Sequence, residues 1–171
     1  MKASTKAFIF LVIACLLGAG IYSVNRLISV KKALHSKIQR RPDLSQVRFI
    51  QNGKLVQQAL TEKPTLLILF NSGCEHCQAE ATQIHKRYRE FAAANVVMLT
   101  SESLQDAQSF VQHFGLDSLG MISVGTLSAD QVYNAFGHTS FPHLYLYGPD
   151  GNLRNEYQGE TKIDALLAAL K

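Results

Sequence analysis

The pattern of apolar and polar positions divides the chain into two unlike parts. Residues 7–24 form an 18-residue stretch without a charged side chain, whereas apolar residues after position 46 recur in short runs and at helical spacing. Such a stretch is long enough to span a slightly thin bilayer and is longer than most signal-peptide cores. The pattern therefore predicts an apolar helix over residues 7–24 and a globular domain over residues 46–171.

Strand-like and helix-like patterns alternate through this second part. Two short apolar runs around an Asn-Gly turn predict a β-hairpin over residues 47–56. Further strands are predicted over residues 65–70, 96–99, 121–124, 144–147 and 153–157, and helices after Cys74, from Ser101 or Ser103 to Phe114, over 128–136 and over 161–170. The alternation predicts an α/β domain whose sheet has a parallel portion, with the last two strands antiparallel.

The most informative stretch is residues 65–77, Thr-Leu-Leu-Ile-Leu-Phe-Asn-Ser-Gly-Cys-Glu-His-Cys. Its apolar run over 65–70 is typical of a strand that is buried on both faces. Polar residues 71–73 break the run, and apolar side chains then recur at helical spacing at Ala81, Ile84, Tyr88 and Phe91. We therefore expect a strand–loop–helix junction with Cys74 at the helix N-terminus.

This position suits disulfide chemistry at Cys74 and Cys77. The thiolate is the reactive form of cysteine, and the N–H groups and dipole of a helix N-terminus favour it. Cys74 is the candidate attacking cysteine, and Cys77, deeper in the first turn, is the candidate resolving cysteine. A protonated His76 would favour the thiolate of Cys74 and the carboxylate of Glu75 would oppose it, so the reduction potential stays open.

The segment resembles the active-site segment of the thioredoxin superfamily, and more closely its membrane-tethered thiol-disulfide oxidoreductases of the TlpA/ResA type. The resemblance covers residues 47–171 and rests on the strand–CxxC–helix order and on Ser140-Phe141-Pro142. It implies a thioredoxin-like fold, with a central mixed β-sheet flanked by helices and preceded here by the N-terminal transmembrane anchor helix. It also implies exchange with protein or small thiols and with a membrane or soluble redox partner.

Two residues depart from the family pattern. Gly73 stands where the family usually has a tryptophan, and Ile68 replaces the buried acid that thioredoxin carries on this strand. A proton acceptor for Cys77 must then come from elsewhere, and Glu80 and Glu75 are the candidates.

Pro142 matches the family's cis-proline, which opens a strand and packs against the active-site disulfide. Proline has no backbone N–H and tolerates a cis bond at small cost. The resemblance implies that the preceding residue, Phe141, keeps its backbone free for a bound substrate strand, in a groove made more apolar by its ring. The alternative is an ordinary trans-proline at the start of a strand.

The chain's net charge of +4 belongs to its N-terminal arm. Residues 1–45 hold 8 Lys/Arg and the single acid Asp43, whereas residues 46–171 hold 9 Lys/Arg and 12 Asp/Glu. This favours a membrane surface as the partner of the basic region and argues against nucleic-acid binding. Residues 1–6 are then a basic leader. Residues 25–45 are a basic juxtamembrane segment, with a helix over 26–41 that either lies near anionic headgroups or is a solvated linker.

The apolar stretch has three interpretations. We expect an uncleaved anchor over residues 7–24, with a lipoprotein modified at Cys15 and a removed secretory signal as the alternatives. Basic residues are more numerous after the stretch than before it, which by the positive-inside rule would keep the domain in the cytoplasm. The resemblance implies the opposite, so we expect a single-pass inner-membrane protein whose domain faces the periplasm.

The cysteine pair also has non-redox interpretations. A zinc site needs further ligands, but the chain has no second CxxC, and His76 and His85 are poorly spaced on one helix. Gln78 rather than histidine follows Cys77, which excludes c-type haem attachment. A copper metallochaperone of the SCO-like kind, using the cysteines with His138 or His143, is the alternative function. We otherwise expect no metal and no cofactor.

Overall fold

The computed structural model describes residues 2–51, 53–57, 60–137 and 140–170. The chain divides into two units, Met1–Lys37 and Ile38–Lys171. The first unit is helix α1 (Lys2–Ile38), whose last residue belongs to the second unit. Within α1, Leu11–Val30 is long and apolar enough to cross a membrane, and none of it is buried within the protein. An apolar N-terminal helix is thus present, although its candidate span ends later than residue 24.

The second unit is an α/β domain around a seven-stranded sheet, counted over the described residues. The strands are β1 (Arg48–Gln51), β2 (Lys54–Gln57), β3 (Thr65–Leu69), β4 (Asn95–Thr100), β5 (Ile122–Thr126), β6 (His143–Tyr147) and β7 (Leu153–Gln158). Their order is β2-β1-β5-β4-β3-β6-β7, in which β3, β4 and β5 are parallel and the other pairs antiparallel. The predicted mixed sheet is confirmed, with each strand within two residues of its expected limits.

Four α-helices flank this sheet in the described part of the domain: α2 (Glu75–Lys86), α3 (Leu104–His113), α4 (Ala129–Phe136) and α5 (Ile163–Ala169). Ser103 caps α3 by accepting a hydrogen bond from the Asp106 N–H, so Ser103 rather than Ser101 begins this helix. Gly115 ends it in a left-handed conformation, with φ of +62°. Ser128 and Gln131 form a reciprocal capping box at the start of α4.

The helix that follows the cysteine pair is shorter than its apolar spacing suggests. It ends at Lys86, and a 3₁₀ turn, Tyr88–Phe91, carries the remaining apolar residues. The Arg87 N–H donates to the carbonyls of both Gln83 and Ile84, which tightens the last turn. Phe91 still reaches the core, with 1% exposure.

Strand β3 lies in the interior of the sheet, and alternate side chains enter two separate apolar clusters. One cluster contains Ile68 and Phe70 together with Cys77 of α2, and the other contains Leu67 and Leu69. Helices α2, α3 and α5 contribute to the first cluster and α4 to the second. The strand is therefore buried on both faces as expected, and its carboxyl end leads directly into the loop that carries Cys74.

The segment after α1 is held by the domain. Ile38 is 5% exposed within the second apolar cluster. The Leu153 N–H donates to the Gln39 carbonyl and the Arg41 N–H to the Gly151 carbonyl, each at 2.8 Å. These extended-chain hydrogen bonds replace helical ones, so the helix predicted to reach Arg41 ends at Ile38.

Candidate active site

Cys74 occupies the N-cap of α2, directly after the loop that leaves β3. Its backbone is extended, with φ of −84° and ψ of 117°, and its N–H donates to the Asn71 carbonyl at 3.2 Å. Its side chain is half-buried, whereas Cys77 in the first turn is only 1% exposed. Both are free thiols. The predicted strand–loop–helix junction is present, and Cys74 stands at the helix end where backbone N–H groups have no partner within the helix.

The loop before Cys74 is clamped by Glu102, a residue that sequence reasoning missed. The Glu102 carboxylate accepts hydrogen bonds from the Ser72 N–H at 2.6 Å, the Ser72 hydroxyl at 2.8 Å and the Thr100 hydroxyl at 3.0 Å. From α2, the Gln78 amide donates to the Ser72 carbonyl at 2.8 Å. A signal was available, because Glu102 follows β4 and parallel neighbouring strands end at the same edge of a sheet.

Gly73 lies exposed in this loop, and its N–H donates to the Asn71 side chain at 3.0 Å. A Cβ at this position would meet its nearest neighbour at 3.4 Å, an ordinary van der Waals contact. A larger side chain is therefore sterically permitted next to Cys74.

Phe141, with Pro142 next to it, lies beside Cys74 although it follows the cysteine pair by more than sixty residues. The bond between them is cis, as the resemblance implied, so the trans alternative is wrong. The Cys74 thiol donates to the Phe141 carbonyl, with a sulfur–oxygen distance of 3.6 Å. Strand β6 follows at once and pairs with β3, placing His143 opposite Leu69. This strand pairing brings Pro142 to the edge of the sheet from which Cys74 projects.

Glu80 lies one turn after Cys77 on α2 and is only 1% exposed. One carboxylate oxygen accepts from the Thr161 N–H at 2.9 Å, and the other has no hydrogen-bond partner among the described residues. The pKa of Glu80 is raised to about 7, chiefly by burial and also by the negative charge of Glu160, whereas the hydrogen bond from the Thr161 N–H lowers it. Glu80 therefore exchanges a proton near neutral pH.

The pKa of the Cys77 thiol is raised to about 12, chiefly by burial and also by the nearby Cys74 and Glu80, whereas a hydrogen bond from the Asn71 backbone lowers it. At neutral pH this thiol keeps its proton, so its attack on a disulfide requires a group that removes the proton. Of the two candidates, Glu75 is exposed, whereas Glu80 is buried beside Cys77. The geometry favours Glu80.

His76 projects outward from the first turn of α2. Its side chain is 71% exposed, and its Nδ1 lies 3.2 Å from a carboxylate oxygen of Glu160 in the loop before α5. This pairing was not expected from the sequence, because the two residues are 84 positions apart.

The residues proposed for copper do not come together. Within the described ranges, no group of three or more His, Cys, Asp or Glu residues is arranged to hold a metal ion. His143 is 3% exposed, stacks on Tyr145 and pairs with Glu156 at 2.7 Å, all on the sheet face opposite Cys77. His138 lies outside the described residues. The metallochaperone alternative is not favoured.

Comparison with protein families identifies the domain. A family model described as a thioredoxin-like domain matches residues 51–171, which include both cysteines and Pro142. Comparison with curated protein sequences gives no match.

Solved structures share the fold. A secreted Mycobacterium tuberculosis disulfide oxidoreductase homologous to E. coli DsbE superposes with a TM-score of 0.59 at 20% identity, over 74% of this chain and 95% of that one. MTB dsbF gives a TM-score of 0.61 at 19% identity, over 78% and 94% of the two chains. StoA from Bacillus subtilis gives 0.58 at 15% identity, over 76% and 100%. At these identities the likeness shows the fold alone, and that fold is thioredoxin-like.

The substitution Glu80→Gln should change how stability depends on pH. The carboxyl ionises near 4.5 when unfolded and near 7 when folded, so the folded chain binds more protons between these values. The wild-type free energy of unfolding should fall as pH rises through this window, by up to about 3 kcal/mol above pH 7. The free energy of unfolding of Glu80→Gln should not show this decrease, because the amide does not ionise.

Urea denaturation of the reduced full chain in detergent, followed by near-ultraviolet circular dichroism, measures the effect. Glu62→Gln is the control, because it removes one exposed carboxylate at the other end of β3. If wild type and Glu80→Gln lose stability in parallel across this window, Glu80 is not a buried acid that titrates near neutrality.

Proposed function

The chain belongs to the thioredoxin-like family and is a thiol-disulfide oxidoreductase, and we propose that Cys74 is its attacking cysteine and Cys77 its resolving cysteine. One observation carries this assignment: the two sulfurs of one helical turn have opposite environments. Cys74 is half-exposed at the N-cap of α2, whereas Cys77 is enclosed in the apolar cluster beneath it. Of the two, only Cys74 is accessible to a substrate disulfide. Cys77 is placed to attack the Cys74 sulfur and so to release the bound substrate.

The proposed exchange conserves atoms and electrons. The Cys74 thiolate attacks one sulfur of a substrate disulfide, that disulfide breaks, and its other sulfur leaves as a thiolate. The Cys77 thiol gives its proton to Glu80 and its thiolate attacks the Cys74 sulfur. The substrate sulfur that was bonded to Cys74 then leaves with the electron pair of that bond, and a Cys74–Cys77 disulfide forms. The substrate has gained two electrons. The reverse sequence oxidises a substrate dithiol.

Protein thiols and disulfides are the proposed substrates. The backbone of Phe141 lies next to the attacking sulfur, and Pro142, without an N–H, leaves this edge unpaired at that position. A substrate strand would pair with the Phe141 backbone while its cysteine meets Cys74. The partly buried Phe141 ring makes the adjoining surface apolar.

The proposed location is the bacterial inner membrane, with residues 7–24 within the anchor and the domain in the periplasm. Leu11–Val30 supports an anchor by its length and hydropathy. A membrane or soluble redox partner would return electrons to, or remove them from, the Cys74–Cys77 pair.

Substitution of each cysteine should have a distinct outcome. Cys77→Ser should accumulate a mixed disulfide with a disulfide-bonded substrate peptide, because Cys74 can attack but nothing displaces the peptide. Cys74→Ser should exchange no faster than the uncatalysed reaction, because Cys77 is buried. Non-reducing electrophoresis and mass spectrometry of the full chain in detergent measure both. Cys15→Ala, the control, should exchange normally. Accumulation of the peptide adduct in Cys74→Ser would reverse the assigned roles.

Glu80→Gln should slow the resolving step by about a hundredfold at pH 7, because the amide cannot accept the Cys77 proton. The step is measured in a Cys15→Ala background by charging Cys74 with 2-nitro-5-thiobenzoate and following release of the coloured thiolate by stopped flow. The difference from wild type should narrow at high pH, where hydroxide removes the proton. Glu62→Gln should match wild type, and an undiminished rate in Glu80→Gln would show that another group accepts the proton.

The orientation of the domain is tested by labelling. In a Cys15→Ala background, a membrane-impermeant maleimide should label Cys74 in cells with only the outer membrane permeabilised. Labelling that appears only after the inner membrane is broken would place the domain in the cytoplasm.

A further inference from the structure

Three consecutive residues between β7 and α5, Gly159–Thr161, contact three different groups around the cysteine pair. The Gly159 N–H donates to the Pro142 carbonyl at 2.8 Å, and the Thr161 N–H to the Glu80 carboxylate at 2.9 Å. Between them, the Glu160 carboxylate lies 3.2 Å from Nδ1 of His76. This stretch, the 159–161 loop, therefore links the cis-proline, the CxxC segment and the buried acid.

The fold presents the 159–161 loop to the site. Strand β7 ends with Gln158 paired to His143, so the loop begins beside Pro142. Gly159 has φ of +83°, a left-handed conformation in which the chain turns away from the sheet. The Thr161 hydroxyl then donates to the Gly159 carbonyl at 3.1 Å and closes the turn. The loop is thus held at both ends and in its middle.

We infer that Glu160 is a positioning residue for the exchange reaction, which holds His76 and sets the charge around Glu80. Gly159 and Thr161 bind Pro142 and Glu80 through backbone N–H groups, which every residue except proline supplies. Glu160 alone of the three contacts its target through a charged side chain. The inference deepens the proposed function and rests on it, because it concerns the proton that Cys77 gives to Glu80.

The groups that face Glu80 among the described residues come from its own helix and from the 159–161 loop. On α2 it faces Cys77, and from the 159–161 loop it faces Glu160 and the Thr161 N–H. Glu160 itself faces His76 on α2, with Lys162 next but one along the chain. Since the Glu160 charge adds to the burial that raises the pKa of Glu80, removing that charge lets Glu80 ionise at lower pH. Glu80 would then be ready to accept the Cys77 proton at lower pH.

The pH profile of the resolving step distinguishes this role from a structural one. With Cys74 charged with 2-nitro-5-thiobenzoate in the full chain in detergent, on a Cys15→Ala background, Glu160→Gln should lower the midpoint of the pH–rate profile by about half a pH unit. Glu160→Asp, which keeps the charge, should stay closer to the wild-type midpoint. The shift should shrink at about 1 M salt, because the Glu160 side chain is 47% exposed.

Glu62→Gln, which removes an exposed carboxylate near the start of β3, should leave the midpoint unchanged. The inference is overturned if the pH–rate profile of Glu160→Gln has the same midpoint as that of the wild type. This holds also if the rate of the variant is lower at every pH, because a uniform loss of rate indicates a structural role. If the wild-type chain itself shows no release that depends on Cys77, the proposed function fails. A normal wild-type release with an unshifted Glu160→Gln profile defeats only the role of Glu160.

Discussion

The site depends on one constraint: the first turns of α2 cross the boundary between solvent and an apolar core. Cys74 stands at the solvent end, at the N-cap of α2. Cys77 and Glu80 follow on the same helix but lie where a charge is costly, so burial raises the pKa of both groups. At neutral pH the Cys77 thiol consequently keeps its proton, whereas Glu80 exchanges one, and the half-exposed Cys74 sulfur is the one that a partner can reach.

Burial of β3 on both faces fixes the point at which the chain leaves the sheet and α2 begins. Its side chains enter two apolar clusters, so the strand cannot shift without breaking both. The parallel neighbour β4 brings Glu102 to the cysteine loop, and the antiparallel neighbour β6 brings Pro142. Three strand ends therefore meet at one edge of the sheet, and the Cys74 sulfur projects from that edge.

Most of the fold could be predicted because its signals are local. Runs such as residues 65–70, the Ser128 cap and the Asn-Gly turn each act over a few positions, and the structure places the elements where these signals suggest. One of the two misses has a local cause and the other a long-range one. The apolar spacing of α2 continues into a 3₁₀ turn, and the helix expected to reach Arg41 loses its last residues to hydrogen bonds with the β6–β7 turn. Spacing alone does not distinguish these geometries.

By itself, the sequence determined the apolar N-terminal helix, the mixed sheet, the CxxC at a helix start and the proline that opens β6. It named Glu80 as one of two possible proton acceptors, but could not separate it from Glu75. Only the tertiary structure distinguishes the buried Glu80 from the exposed Glu75, and only it shows the clamp by Glu102 and the pairing of Glu160 with His76. The physical reason is that burial and charge proximity are properties of space, created when segments far apart in the chain pack around the same helix.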